Sequence, residues 1–292
     1  MFESKHKGPL CMLAASLCWS IGGLCIKNIP WGAMSIIGLR AALAAVVFAL
    51  FRKGAKVKLT TGNALAAFCQ AATTTLFVFA NQLTTAAAAV LLQFSAPIFI
   101  LLIQFTFYKK RPKPSEIIAV TVTILGMFLF FADQLDSGRM LGNLIAIISG
   151  LTMGCMFLFN KRPDASPEQS VMIGFFMSMA TGLPFVFFDS SITAAFAPWA
   201  FIALMGVVQV GLAYVFFSVG IKNTSALPAI LIVSVEPVLN PVWVALGTPE
   251  RPGPFSIVGG AVIITTVVCY NVWIELQKKG ESIKASNEVV NK

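Results

Sequence analysis

TTAAAAVLLQFSAPIFILLIQFTFYKKRPKP (residues 84–114) and TSALPAILIVSVEPVLNPVWVALGTPERPGP (residues 224–254) are two versions of one segment, 140 positions apart. At that offset Pro97 falls on Pro237, Arg111 on Arg251, Pro112 on Pro252 and Pro114 on Pro254. Each segment holds an apolar run of about the 20 residues that cross a bilayer as a helix. The first ends on Lys109, Lys110, Arg111 and Lys113, whereas the second ends on PERPGP, where Glu250 offsets Arg251. Basic residues beside spans collect on the cytoplasmic side. The two copies therefore carry the charge signatures of opposite membrane faces. A duplication with an odd number of spans per half produces that inversion.

Working outward, the whole chain fits this reading. Its 292 residues are 57% apolar and only 11% charged, with a mean hydropathy of +0.84. Soluble domains carry about 25% charged residues, so this chain lacks the polar surface to sit in water. Ten apolar runs can be cut, at about 8–27, 31–51, 60–82, 84–108, 114–132, 140–160, 168–188, 196–220, 224–247 and 254–276. The expected fold is an all-α polytopic membrane protein, ten transmembrane helices as two inverted five-helix repeats. Residues 1–136 form the first repeat, 137–276 the second and 277–292 a cytoplasmic tail, with the polar stretch after Trp273 expected to fray. An offset of 134 also puts Gly8 on Gly142 and Lys27 on Lys161.

With the N-terminus inside, the inner segments hold seventeen lysines and arginines; the outer ones hold only Lys27, Arg139 and Arg251. Arg40 alone lies deep within a span. That bias puts both termini in the cytoplasm. The net charge of +9 is thus a topology signal and does not point to nucleic acid. The first apolar run follows MFESKHKG without a small-residue cleavage signal and reads as a retained span. Cys11, Cys18, Cys25, Cys69, Cys155 and Cys269 form no CxxC pair and read as packing residues. His6 is the single histidine and reads as no ligand. No metal cluster, catalytic triad or phosphate-binding glycine loop is present, so neither a cofactor nor an enzyme is expected.

The arrangement resembles the drug/metabolite transporter superfamily, and within it the EamA-type ten-span proteins, over about residues 8–276. The carriers are LAASLCWSIGGLCIKN in the first span, IIGLRAALAAVVFAL in the second, and the twin segments Ala86–Ile118 and Ala226–Val258. Similar proteins carry a tryptophan in the first span, an arginine in the second, and Ser-x-x-Pro or Glu-Pro in the fourth and ninth. They often end the fourth span on Gly-Glu, where this chain has Tyr108-Lys109-Lys110. The resemblance implies small-metabolite transport across a bacterial inner membrane, most often export of amino acids or related solutes. It also implies a central cavity lined by the first four spans of each half, with spans five and ten peripheral.

Several residues stand out as candidates for that cavity. Gln70, Thr74, Phe77 and Asn81 are spaced along one face of the third span. The 140-residue offset carries Thr74 and Phe77 onto Tyr214 and Phe217 in the eighth. Such stripes either line opposite cavity walls, near the midplane of inverted repeats, or glue helices together. Glu236, Asn240 and Trp243 share a face of the ninth span. The first-half counterpart of Glu236 is Ala96, so symmetry alone requires no carboxylate there. A charge at mid-bilayer costs about 2.5–3.5 kcal/mol, so such an acid faces a cavity or a partner. Three readings compete: Glu236 is protonated and packed, pairs with Arg40, or meets a substrate ammonium or a coupling proton. Pro237 and Pro241 free the carbonyls of Val233 and Pro237 to line the same space.

Trp19, Ser20 and Gln93 are further candidates. Trp19 lies too deep for an interfacial belt and offers its face to a cation or packs as an ordinary aromatic. Trp31 and Trp199 lie at span ends and read as interfacial anchors.

The expected function is secondary transport of a small polar organic solute, amino acid or amine-like, by alternating access. Partners are the substrate, membrane lipids and a coupling proton. One rival is a carrier of nucleotide sugars or other anions, which wants several intramembrane Lys or Arg where this chain has Arg40. The other is a membrane-embedded enzyme, which wants clustered His, Asp or Ser.

Overall fold

The computed structural model describes residues 7–53, 57–84, 86–132, 140–239, 243 and 254–290. Among the described residues all regular structure is helical. The first half comprises α1 (Lys7–Trp19), α2 (Gly22–Lys27), α3 (Ala33–Arg52), α4 (Thr61–Leu83), α5 (Ala86–Gln93), α6 (Ala96–Thr106) and α7 (Pro114–Phe131). The second comprises α8 (Met140–Phe159), α9 (Pro167–Val186), α10 (Phe196–Leu204), a π-helical segment Met205–Leu212, α11 (Ala213–Asn223), α12 (Ala226–Val233) and α13 (Pro254–Val290). Helix pairs α1–α2 and α5–α6, and the run α10 to α11, are single spans interrupted on the way across. Among the described residues eight spans are long and apolar enough to cross a membrane, and Pro114–Leu129 and Ala226–Leu239 are shorter apolar helices. Large apolar side chains such as Leu10, Val46, Phe68, Phe105, Leu144 and Ile257 point outward, as a lipid solvent demands. The protein is a polytopic all-α membrane protein.

The packing obeys an internal two-fold. Helix α1 packs on α11 as α8 packs on α4, and α12 lies on α1 as α5 and α6 lie on α8. The pairs α3–α9 and α7–α13 each join a helix to its own counterpart, and α6 meets α12 across the corresponding fourth and ninth spans. Individual contacts repeat as well. Lys27 Nζ donates to the Asn81 carbonyl at 2.8 Å, and Lys161 Nζ to the Ile221 carbonyl at 2.8 Å. In both, an ammonium meets the unsatisfied carbonyls of a helix C-terminus, where the helix dipole is negative. A Cβ on Gly8 would lie 2.5 Å from Thr224 Oγ1, and one on Gly142 would lie 2.8 Å from Thr84 Cβ. These are the same contacts seen twice, across the offsets legible in the sequence.

Helices α3 and α9 cross at Gly38 and Gly182, near the axis of this symmetry. A Cβ on Gly38 would lie 2.4 Å from the Leu183 nitrogen, and one on Gly182 would lie 2.4 Å from the Gly38 nitrogen. Only hydrogen fits there, so the two backbones touch.

Polar clamps join the halves at each end. At one end Asp164 accepts from the Gly62 amide at 2.8 Å and from Arg162 Nε at 2.9 Å. Asn63 braces the same junction through the Ser166 amide at 2.6 Å and Gln169 Oε1 at 3.1 Å. At the other end Asp189 accepts from the Gly32 amide at 2.9 Å. The Arg162 guanidinium and then the Gly62 amide hold the Asp164 carboxyl below the usual carboxylate range. Asp189 is partly desolvated, yet hydrogen bonds from Ser191, Ser35 and the Gly32 amide bring it down to about 2.

Two expectations need correction. The tail does not fray after Trp273: α13 runs on to Val290. The residues IELQKK and KASNEVV are mostly adequate helix formers, and extending an existing helix needs no new nucleus. Trp31 is not a lipid-facing anchor. It is 2% exposed, and its ring sits 4.9 Å from that of Trp199. Trp199, 41% exposed, keeps the outward position. Pro241, Glu250 and Arg251 lie outside the described residues.

Candidate functional site

The interruptions in the spans share one level of the protein. Pro97 has no N–H, so the Gln93 carbonyl loses its helical donor and the fourth span turns at Phe94 and Ser95. Pro237 does the same to Val233, and the ninth span turns at Ser234 and Val235. The first span breaks at Ser20 and Ile21, ahead of Gly22 and Gly23. The eighth widens into its π-helical segment, which carries Gly206 and Gly211. Side-chain-free Gly206 lets α3 press in: a Cβ there would lie 2.4 Å from Leu43 Cβ. Irregular backbone at membrane depth is tolerated where it is buried in protein or lines a cavity.

A cavity of about 50 Å³ lies at this level, room for a few water molecules. Of the residues singled out in the sequence, Trp19, Arg40, Thr74, Phe77, Gln93, Tyr214 and Glu236 line it. Arg40 is 3% exposed and Glu236 8%. The Arg40 guanidinium donates from one terminal nitrogen to the Thr74 carbonyl at 2.8 Å. Among the described residues no ion pair joins Arg40 to Glu236, so the guanidinium and the carboxyl face one cavity without contacting each other directly.

The aromatic wall is built by edge-on contacts. The Trp19 ring lies 5.2 Å from Tyr214, and Tyr214 lies 5.6 Å from Phe217. The opposite wall is hydrogen-bonded. Gln93 Nε2 donates to Ser149 Oγ at 2.7 Å, Ser149 Oγ to the Thr73 carbonyl at 3.1 Å, and Thr73 Oγ1 to Thr152 Oγ1 at 2.8 Å. The symmetry mates of Ser149 and Thr73 are Ala15 and Ala213, so this chain, which links the two halves, is not repeated across the two-fold.

Other candidates sit elsewhere. Gln70 turns toward α9, its Nε2 3.4 Å from the Val171 carbonyl. Asn81 Nδ2 closes back on the Phe77 carbonyl at 3.0 Å. Phe217 packs behind the wall, against Trp19 and Phe157. Ser20 Oγ accepts from Trp243 Nε1 at 2.7 Å, tying the first span to the ninth. Asn240 lies outside the described residues. The carbonyl freed at Val233 does not open to the cavity but faces Ser16 Oγ, at 3.4 Å. Thr73, Met153, Met156, Gln209 and Val210 complete the lining and were not anticipated. Gln209 enters because the π-helical turn adds a residue and shifts the lining face of the eighth span.

The EamA-like transporter family matches residues 6–132 and again residues 140–286. The chain belongs to that family. A protein of Archaeoglobus fulgidus named as an uncharacterized transporter is 22% identical over 272 residues, 91% of this chain and 97% of its own. A solved crystal structure superposes with a TM-score of 0.77 at 16% identity, over 92% of this chain and 99% of that one. That likeness shows a shared fold. The protein is an EamA-like membrane transporter.

A second, wider space of about 310 Å³ opens beside Tyr108, Lys110, Lys161, Arg162 and Ser225. It lies at the Asp164 end of the protein and is rimmed by Lys110, Lys161 and Arg162.

Proposed function

We propose that this EamA-like protein is a secondary transporter for a small zwitterionic or cationic organic solute, moved by alternating access between its inverted halves. Repeat boundaries near residues 136 and 276 are part of this reading. So are a bacterial inner-membrane location, outward transport, and cytoplasmic termini, the last of which fit the basic inner segments. The observation that carries it is the presence of Arg40 and Glu236, both buried, on one aromatic-walled cavity without an ion pair between them. A solute carboxylate at Arg40 and an ammonium at Glu236, over the Trp19 face, would satisfy both charges. The basic vestibule by Lys110 and Lys161 would gather carboxylate-bearing solutes.

The cavity, at about 50 Å³, has room for a few waters but is too small for an organic molecule of amino-acid size, so loading requires one end to open. Glu236 is also the group placed to carry a coupling proton.

The test is a thermal-shift screen of the purified protein against amino acids, amines, nucleosides and sugar phosphates. We expect melting temperature to rise with zwitterions or amines. A response confined to phosphorylated or other anionic compounds would favour the rival anion carrier.

A further inference from the structure

Among the described residues Gln209 is the one cavity-lining side chain with a fully buried polar atom that has no partner. It is 6% exposed, it lines the cavity beside Tyr214 and Glu236, and its Oε1 has no hydrogen-bond partner among the described residues. The other amide on the lining, Gln93, is engaged by Ser149. A buried unpaired acceptor is costly and calls for an explanation. The local backbone brings this side chain to the cavity. The π-helical segment turns position 209 into the cavity, and Gly22, at the break in the first span, makes room for the amide. A Cβ on Gly22 would lie 2.7 Å from Gln209 Nε2. The symmetry mate of Gln209 is Cys69, so the repeat does not call for an amide here.

We propose that Gln209 is a specificity-determining residue whose Oε1 accepts a hydrogen bond from a hydroxyl or amide N–H on the solute's side chain. The inference rests on the zwitterion reading above. Arg40 and Glu236 would hold the charged ends, and Gln209 would sort solutes by what they carry beyond them. A site with an unpaired acceptor prefers a solute that brings a donor over an isostere that brings a methyl group.

The experiment measures binding of two near-isosteric pairs, L-threonine with L-valine and L-asparagine with L-leucine, to wild type, Gln209→Leu and Gly22→Ala. Wild type should bind the donor-bearing member of at least one pair about ten-fold or more tightly. Gln209→Leu should bring that ratio close to one. Gly22→Ala, which displaces the amide without changing its chemistry, should reduce it. Ligand-free Gln209→Leu should melt at a higher temperature than wild type, because it removes the unpaired acceptor.

Failure of wild type to bind any of the four would overturn this specificity together with the amino-acid form of the reading it rests on. Equal binding within both pairs, or a preference unchanged in Gln209→Leu, would overturn the role of Gln209 and leave that reading standing. A lower melting temperature for ligand-free Gln209→Leu would mark Gln209 as a structural hydrogen-bonding residue and overturn the proposal.

Discussion

Gly38→Ala is expected to cripple folding, with a loss of about 3 kcal/mol and a sharp fall in the yield of monodisperse protein. The added Cβ would lie 2.4 Å from the Leu183 nitrogen and 2.5 Å from the Gly182 carbonyl carbon. Both atoms are backbone, so no rotamer change relieves the clash. Helices α3 and α9 would have to separate. That separation would shift Arg40 on α3, two residues further along, and would strain the clamp between Gly32 and Asp189. In lipid, close packing is what holds helices together, since burial from water gives no drive between them. Val46→Ala on the same helix is the control: Val46 is 61% exposed, and its truncation should shift the melting temperature little. Equal melting temperatures for wild type and Gly38→Ala would mean that the two backbones do not touch.

Glu236→Gln is expected to weaken binding of amines and zwitterions by about ten- to a hundred-fold, the worth of a charge-assisted hydrogen bond of about 1.5–3 kcal/mol. Arg40→Gln should do the same to carboxylate-bearing solutes while sparing simple amines. The two variants thus read opposite ends of one ligand. Neither effect should come from misfolding in the case of Glu236→Gln, because a neutral amide is cheaper to bury than a carboxylate. Its melting temperature without ligand should match or exceed that of wild type. Calorimetric titration of both variants against the hits from the solute screen provides the measurement. Binding left intact by Glu236→Gln, with uphill transport lost, would assign Glu236 to proton coupling alone. Binding and transport both intact would remove it from the site.

What the sequence made legible is what lipid makes expensive. Arg40 and Glu236 stand out because charges in apolar runs demand a reason, and both line the cavity. The prolines stand out because each removes a helical donor, and the fourth and ninth spans turn where Pro97 and Pro237 predict. The duplication is legible because matched contacts keep matched residues: Gly8 and Gly142, Lys27 and Lys161, Thr84 and Thr224.

The rest depends on helix rotation, which polarity alone does not fix. Gln70 and Asn81 look like cavity residues by spacing, but one turns to a neighbouring helix and the other to its own backbone. Met153 and Met156 look like ordinary apolar residues, and only the packing of α8 turns them inward. Gln209 was hidden by the π-helical segment, because every periodicity argument assumed an α-helical turn.

The central claim is that the two halves are inverted copies facing each other across the cavity, and cysteine accessibility tests it most directly. Lys110→Cys and Arg251→Cys would be introduced separately into a variant lacking the six native cysteines, then exposed in intact cells to a membrane-impermeant maleimide. The inverted arrangement predicts labelling at position 251 and protection at position 110 until the membrane is opened. Labelling of both positions from the same side would contradict it.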